Sequence, residues 1–219
     1  MKKLILPIVA TALSAASFGS YFNDFESPIG AEWSTSTTSS FNGTTILGRF
    51  SNDTATLTLN GFNAGDMVTV GFHAYILDSW DGNVGGVGPD RFTFKIDGVN
   101  KLDTTFSNVN GYDQSYPDPY LGGSHPRYTG ADDTDAGGLP GGFYGNSLYI
   151  FGGANNGSFN AVATGSSMTF TWMGSNLQGV GDESWGLDNV WVRTESVPEP
   201  ATMTVLALGG LLAARRRKV

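Results

Sequence analysis

The residues best suited to chemistry in this chain are carboxylates and tryptophans set among glycines. The stretch 78–90, DSWDGNVGGVGPD, places Asp78, Asp81, Asn83 and Asp90 where sharp turns are easy. Oxygens grouped in this way can ligate calcium, but the D-x-[DN]-x-[DN]-G spacing of an EF-hand is absent. A structural loop closed by Asx-turns is the stronger reading of the same residues. Asp182 and Glu183 with Asp188 could supply the paired carboxylates of a glycoside hydrolase. No E-x-D-x-E alternation accompanies them, so nothing obliges two of them to face one cleft. Trp80 and Trp185 each stand beside a serine in polar, Gly-rich surroundings, where an exposed indole could stack on a sugar ring. A lone tryptophan in a β-sandwich is more often core, so both readings stay open. Trp33, Trp172 and Trp191 look buried or strand-borne and receive no role.

Other signatures of catalysis are missing. The chain has no cysteine, no G-x-S-x-G elbow, no H-E-x-x-H and no phosphate-cradling Gly-Lys-Ser/Thr. His73 and His125 have no sequence partner that would make a triad or a zinc site. The expectation is therefore a protein that is not an enzyme.

The elements that must position these residues read as β throughout. Val68, Val70, Phe72, Ala74 and Ile76 fall on one face, with Thr69, Gly71, His73 and Tyr75 on the other. Phe92, Phe94 and Ile96 alternate with Thr93, Lys95 and Asp97, and Met168, Phe170 and Trp172 alternate with threonines. Period two with aromatic and β-branched enrichment predicts half-buried antiparallel strands. They are expected near 21–26, 45–50, 54–60, 67–77, 91–97, 100–106, 147–151, 158–163, 167–173 and 187–193. Turn residues such as Asn60-Gly61 and Asp97-Gly98 separate them. Ten strands in one domain predict an all-β, antiparallel jelly-roll β-sandwich whose first and last strands pair. The echo of Ser79-Trp80-Asp81-Gly82-Asn83 in Ser184-Trp185-Gly186-Leu187-Asp188-Asn189 is too short for an internal repeat. From 108 to 146 the chain is rich in Gly, Pro, Tyr and Asp and shows no strand. Such a loop either packs its tyrosines on the sandwich or forms a glycan-contact surface, with packing the stronger reading.

The two ends differ from this body. Residues 1–19 have Lys2 and Lys3, an apolar stretch and then small residues, the pattern of a secretory signal peptide cut after Ala16 or Gly19. Residues 197–219 carry Pro198, Glu199 and Pro200, a 14-residue apolar run from Ala201 to Ala214, and the basic cluster Arg215, Arg216, Arg217, Lys218. A short hydrophobic helix is expected at each end. Spanning a bilayer takes about 20 apolar residues, so the C-terminal run makes a poor permanent anchor and suits transient insertion into the inner membrane. Without both ends the cations that remain are Arg49, Arg91, Lys95, Lys101, Arg127 and Arg193, and the net charge moves from −8 to about −13. Phosphate neutralisation is closed to such a chain, which excludes nucleic acid as a partner. With no disulfides available, the domain of residues 20–196 must be held by its core, by calcium, or by both.

The ordered tail of Pro-Glu-Pro, apolar run and basic end resembles the PEP-CTERM sorting signal. That resemblance implies recognition by an exosortase after passage through the Sec translocon, and a mature protein at the cell surface or in the extracellular matrix. A second resemblance rests on Asn23-Asp24-Phe25-Glu26 near the start and Leu187-Asp188-Asn189-Val190 near the finish. These look like the opening and the last strand of jelly-roll carbohydrate-binding modules. The resemblance implies a structural calcium held by Glu26 and Asp188, with Asp24 a third ligand, and polysaccharide as the partner. Asn189 stands where the module pattern often has a second aspartate. A surface component without a defined ligand is the alternative, and a hydrolase acting on exopolysaccharide a more distant one.

Overall fold

The computed structural model describes residues 18–136 and 145–195. Thirteen strands follow in order: β1 (Ser20–Asn23), β2 (Thr38–Phe41), β3 (Thr44–Phe50), β4 (Thr54–Asn60), β5 (Met67–Asp78), β6 (Arg91–Ile96), β7 (Val99–Thr105), β8 (Asp113–Gln114), β9 (His125–Pro126), β10 (Ser147–Phe151), β11 (Phe159–Val162), β12 (Ser167–Ser175) and β13 (Glu183–Glu195). Among the described residues there is no helix, and none is long and apolar enough to cross a membrane. The helices expected at the two ends, and with them Pro198, Glu199, Pro200 and the basic cluster from Arg215 to Lys218, lie outside the described residues.

The long strands β5 and β13 pair from Asp78–Glu183 at one end to Met67–Glu195 at the other, with a register shift between Asp188 and Trp191. Each of their outer edges is shared by two shorter strands. β10 and β11 line β5, while β3 and β1 line β13 and β2 extends β3. The second sheet runs β4-β12-β6-β7, entirely antiparallel. At the β6–β7 hairpin, Asp97 and Gly98 both take positive φ (48° and 77°), the two-residue turn whose twist matches that of the strands. Pairing of β1 with β13 brings the first and last strands together, as a closed sandwich requires.

Alternation explains the packing. Val68, Val70, Phe72, Ala74 and Ile76 meet Ala55, Leu57, Phe92, Phe94, Ile96, Met168, Phe170 and Trp172 in one core between the sheets. Phe72 sits at its centre, 5.0 Å from Phe94 and 5.4 Å from Trp172 in edge-on contacts. A smaller core of Phe41, Ile46, Tyr75, Leu77 and Ala136 fills the opposite face of the large sheet. Tyr75, expected on a polar face, is thereby buried.

The segment after β7 packs against the sandwich. Tyr116 enters the main core, and two buried amides pin the chain around it. Gln114 Oε1 accepts from the backbone N–H of Ser107 and of Tyr128, both at 3.1 Å. Asn108 Nδ2 donates to the carbonyls of Ile76 and Asp78, and its Oδ1 accepts from Ser147. A loop rich in polar residues can be buried only when its backbone groups find partners in this way.

Candidate functional site

Acidic residues gather at the end of the β5–β13 ladder opposite the chain ends. The 79–90 loop leaves β5 and folds back before β6. Its turn depends on Gly82, where φ is +67° and an added Cβ would lie 2.2 Å from the carbonyl oxygen of Asp113. The backbone closes through Asp90 N–H to Gly82 O (3.0 Å) and Asn83 N–H to Asp113 O (2.8 Å). This geometry brings Asp81 and Asp90 against Glu183, the first residue of β13. One carboxylate oxygen of each lies within 4.8 Å of the others, and Asp90 and Glu183 have no exposed surface.

Each of these two carboxylates is anchored by one oxygen. Asp90 Oδ2 accepts the backbone N–H of Asp81, and Glu183 Oε2 accepts that of Gln178 at 2.6 Å. The second oxygens, Asp90 Oδ1 and Glu183 Oε1, are buried without a partner. Burial pushes both carboxyls well above the ordinary carboxylate range, and the charge of Asp81 adds to the effect at Asp90 as that of Asp90 does at Glu183. Asp81 is raised by burial first and by Asp182 second. A cluster of this kind is relieved either by protons kept on the carboxyls or by a hard cation among them. It is enclosed, so it offers no seat for a sugar chain.

Not every oxygen of the 78–90 stretch joins this cluster. Asp78 is ion-paired with Arg49, whose guanidinium also reaches Ser184 Oγ (2.8 Å) and Val180 O (2.7 Å). Asn83 Oδ1 turns to Thr105 and Ser115. Asp182 accepts from Ser79 Oγ at 2.7 Å.

Asp24, Glu26 and Asp188 lie at a different corner, but among the described residues their carboxylates do not close on one another as those of Asp81, Asp90 and Glu183 do. The hydroxyl of Thr44 stands between Glu26 Oε1 (2.6 Å) and Asp188 Oδ2 (3.5 Å). Glu26 is exposed, and its carboxyl is held below the ordinary range by Thr44 and by the N–H of Thr45. Asp188 is pushed up to about 6, by burial first and then by the charges of Glu26 and Asp24. Carboxylate and hydroxyl oxygens are donors that suit calcium. Asp188 and Glu183, both on β13, serve separate corners and face no common cleft.

Trp80 and Trp185 are core residues, which corrects the expectation of a glycan contact. Both have no exposed surface. Trp80 Nε1 donates to Ser184 O and Trp185 Nε1 to Ser51 O, each at 2.8 Å. Their faces are taken by rings, Trp80 against Phe106 and Trp185 against Phe50 and Phe92. Polar neighbours misled because backbone carbonyls satisfy both indoles inside. The short Ser-Trp echo marks two segments that lie together. A tryptophan that does reach solvent is Trp191, half-buried, with the Arg193 guanidinium 4.7 Å above its ring.

A surface groove of about 440 Å³ runs beside β7, lined by Arg91, Asn100, Asp103, Pro117, Pro119 and Tyr120 among others. Arg91 forks onto Asp103 through contacts of 2.6 to 3.1 Å and stacks 4.4 Å above the Tyr120 ring. The segment carrying Tyr120 is strapped to β7 by Tyr120 N–H to Asp103 O and by Thr104 Oγ1 to Asp118 O. No periodicity in the sequence marks these residues, because strand and loop are joined there only by folding.

No curated protein matches the chain. Solved structures similar to it include the CBM36-1 domain of a multidomain xylanase from the hindgut metagenome of Trinervitermes trinervoides. The identity is 13% and the TM-score 0.37, over 82% of this chain and 100% of that one. Dimeric latent PorU from Porphyromonas gingivalis is 15% identical with a TM-score of 0.41, over 83% of this chain and 13% of PorU. The Cry4Aa toxin from Bacillus thuringiensis is 9% identical with a TM-score of 0.35, over 78% of this chain and 22% of the toxin. At scores this low the reading of the site rests on the chain's own residues. Residues 196–218 match the PEP-CTERM protein-sorting motif, which implies exosortase processing during export to the cell surface.

Proposed function

We propose that the protein is an exported, non-catalytic β-sandwich that binds polysaccharide at the cell surface or in the extracellular matrix, reaching it by the Sec translocon and transient insertion in the inner membrane. The observation that carries this reading is the groove beside β7. A sugar offers C–H faces to an aromatic ring and neighbouring hydroxyls to planar polar side chains. Tyr120, the Arg91–Asp103 fork and Asn100 provide both kinds of surface within one open cleft. Calcium held by Asp24, Glu26 and Asp188 would stiffen the corner where β1 joins β13. The enclosure of the buried carboxylates favours binding over hydrolysis.

Affinity electrophoresis of the purified chain in native exopolysaccharide tests the reading. Retardation that Tyr120→Ala abolishes supports it. Retardation kept by Tyr120→Ala but lost in Trp191→Ala would move the contact to the other sheet. Free migration of the wild type would leave a surface component without a glycan ligand.

A further inference from the structure

We propose that Asp81, Asp90 and Glu183 hold a calcium ion inside the domain, separate from the Asp24/Glu26/Asp188 corner. Two carboxylate oxygens with no exposed surface and no donor are a costly arrangement for a folded chain. Among the described residues no ion pair reaches any of the three side chains, and Arg49 is taken by Asp78. The anchoring of the opposite oxygens matters equally. Because the Asp81 and Gln178 amides fix one side of Asp90 and Glu183, the free oxygens are already in place and their orientation costs little further entropy.

The spacing suits calcium. Oxygens bound to one calcium at about 2.3–2.6 Å can lie at most about 5 Å apart, and the three groups fall within 4.8 Å. The ligands are all oxygen, without imidazole or thiolate, which selects a hard cation. Magnesium retains several waters in near-ideal octahedral geometry, which a closed corner serves poorly. Backbone carbonyls and trapped water would complete the shell. The ion would join three parts of the chain, the turn after β5, the approach to β6 and the start of β13. This inference does not rest on polysaccharide binding and survives its failure.

Thermal melting of the purified full chain, stripped with chelator and titrated with calcium chloride, tests the site. The wild type is expected to melt at rising temperature as calcium is added. Glu183→Gln and Asp90→Asn keep shape and remove charge, so both should fold and lose most of that rise, whereas Glu26→Gln should keep most of it. Equilibrium dialysis against calcium gives a count that needs neither buried variant. The Glu26→Gln chain is expected to retain one ion. An unresponsive wild type, a full response in Glu183→Gln, or no ion retained by Glu26→Gln would each overturn the proposal, and protons shared among the carboxyls would then explain the cluster.

Discussion

The two acidic corners of this domain solve the same electrostatic problem in different solvents. At the Asp24/Glu26/Asp188 corner, Glu26 faces water and is held by Thr44 and Thr45, so its negative charge is favoured. At the Asp81/Asp90/Glu183 corner, beside the paired ends of β5 and β13, the carboxylates are buried and two oxygens have no donor. Water and hydroxyls screen the first, and only a proton or a cation can neutralise the second. A cation is therefore optional at the open corner and a large energetic term at the closed one.

The contrast can be broken most severely through Trp80, which precedes Asp81 and bonds to Ser184, the neighbour of Glu183. Trp80→Ala removes a buried indole and its bond to Ser184, and should cost about 3–5 kcal/mol, or roughly 6–20 °C in melting temperature. Differential scanning calorimetry with and without calcium should show the calcium response of the closed corner lost with it. Next in size is calcium itself. At about a hundred times its dissociation constant it should stabilise the wild type by roughly 2.7 kcal/mol, a gain that Asp90→Asn forfeits. Glu26→Gln should lower the melting point of the chelated protein only slightly, because its contacts are exposed. A larger loss than that of Asp90→Asn in calcium would reverse the ranking of the two corners. Smallest in stability is Tyr120→Ala, a groove substitution expected to change it by under about 1 kcal/mol while abolishing retardation in polysaccharide.

Phe18 stacks on Phe62 at 4.5 Å, and its N–H bonds to Gly61 O at 2.9 Å. Leader cleavage after Ala16 would keep that seat filled, whereas cleavage after Gly19 would remove it. N-terminal sequencing of the exported protein should therefore begin at Ser17, and a start at Ser20 would refute this.

Most of the sandwich was legible because strand burial repeats every second residue and shows in any short window. The stretches expected at 54–60, 67–77 and 147–151 match β4, β5 and β10 to within a residue. Legibility failed where burial depended on distant partners. Tyr75 reads in sequence as sharing a face with Thr69 and His73, yet Phe41, Ile46 and Ala136 cover it from other parts of the chain. Asp81 and Asp90 read in sequence as calcium-like oxygens, but Glu183 lies about a hundred residues on and reads there only as a hydrolase carboxylate. Tyr120 belongs to the loop that reads in sequence as a packed segment or a glycan-contact surface, while its groove partners Arg91 and Asp103 carry no signal, since each type is ordinary on a strand.

The sequence alone determined the address, the strand periodicity and the strongly acidic, cysteine-free composition. These are properties of contiguous residues, read by a sorting machinery or set by the local backbone. Tertiary structure decided which carboxylates meet, which of them keep water, and which tryptophans disappear into the core. Those outcomes depend on strand register and sheet order, which bring Asp78 opposite Glu183 across 105 positions of chain and leave two oxygens beside them with no donor.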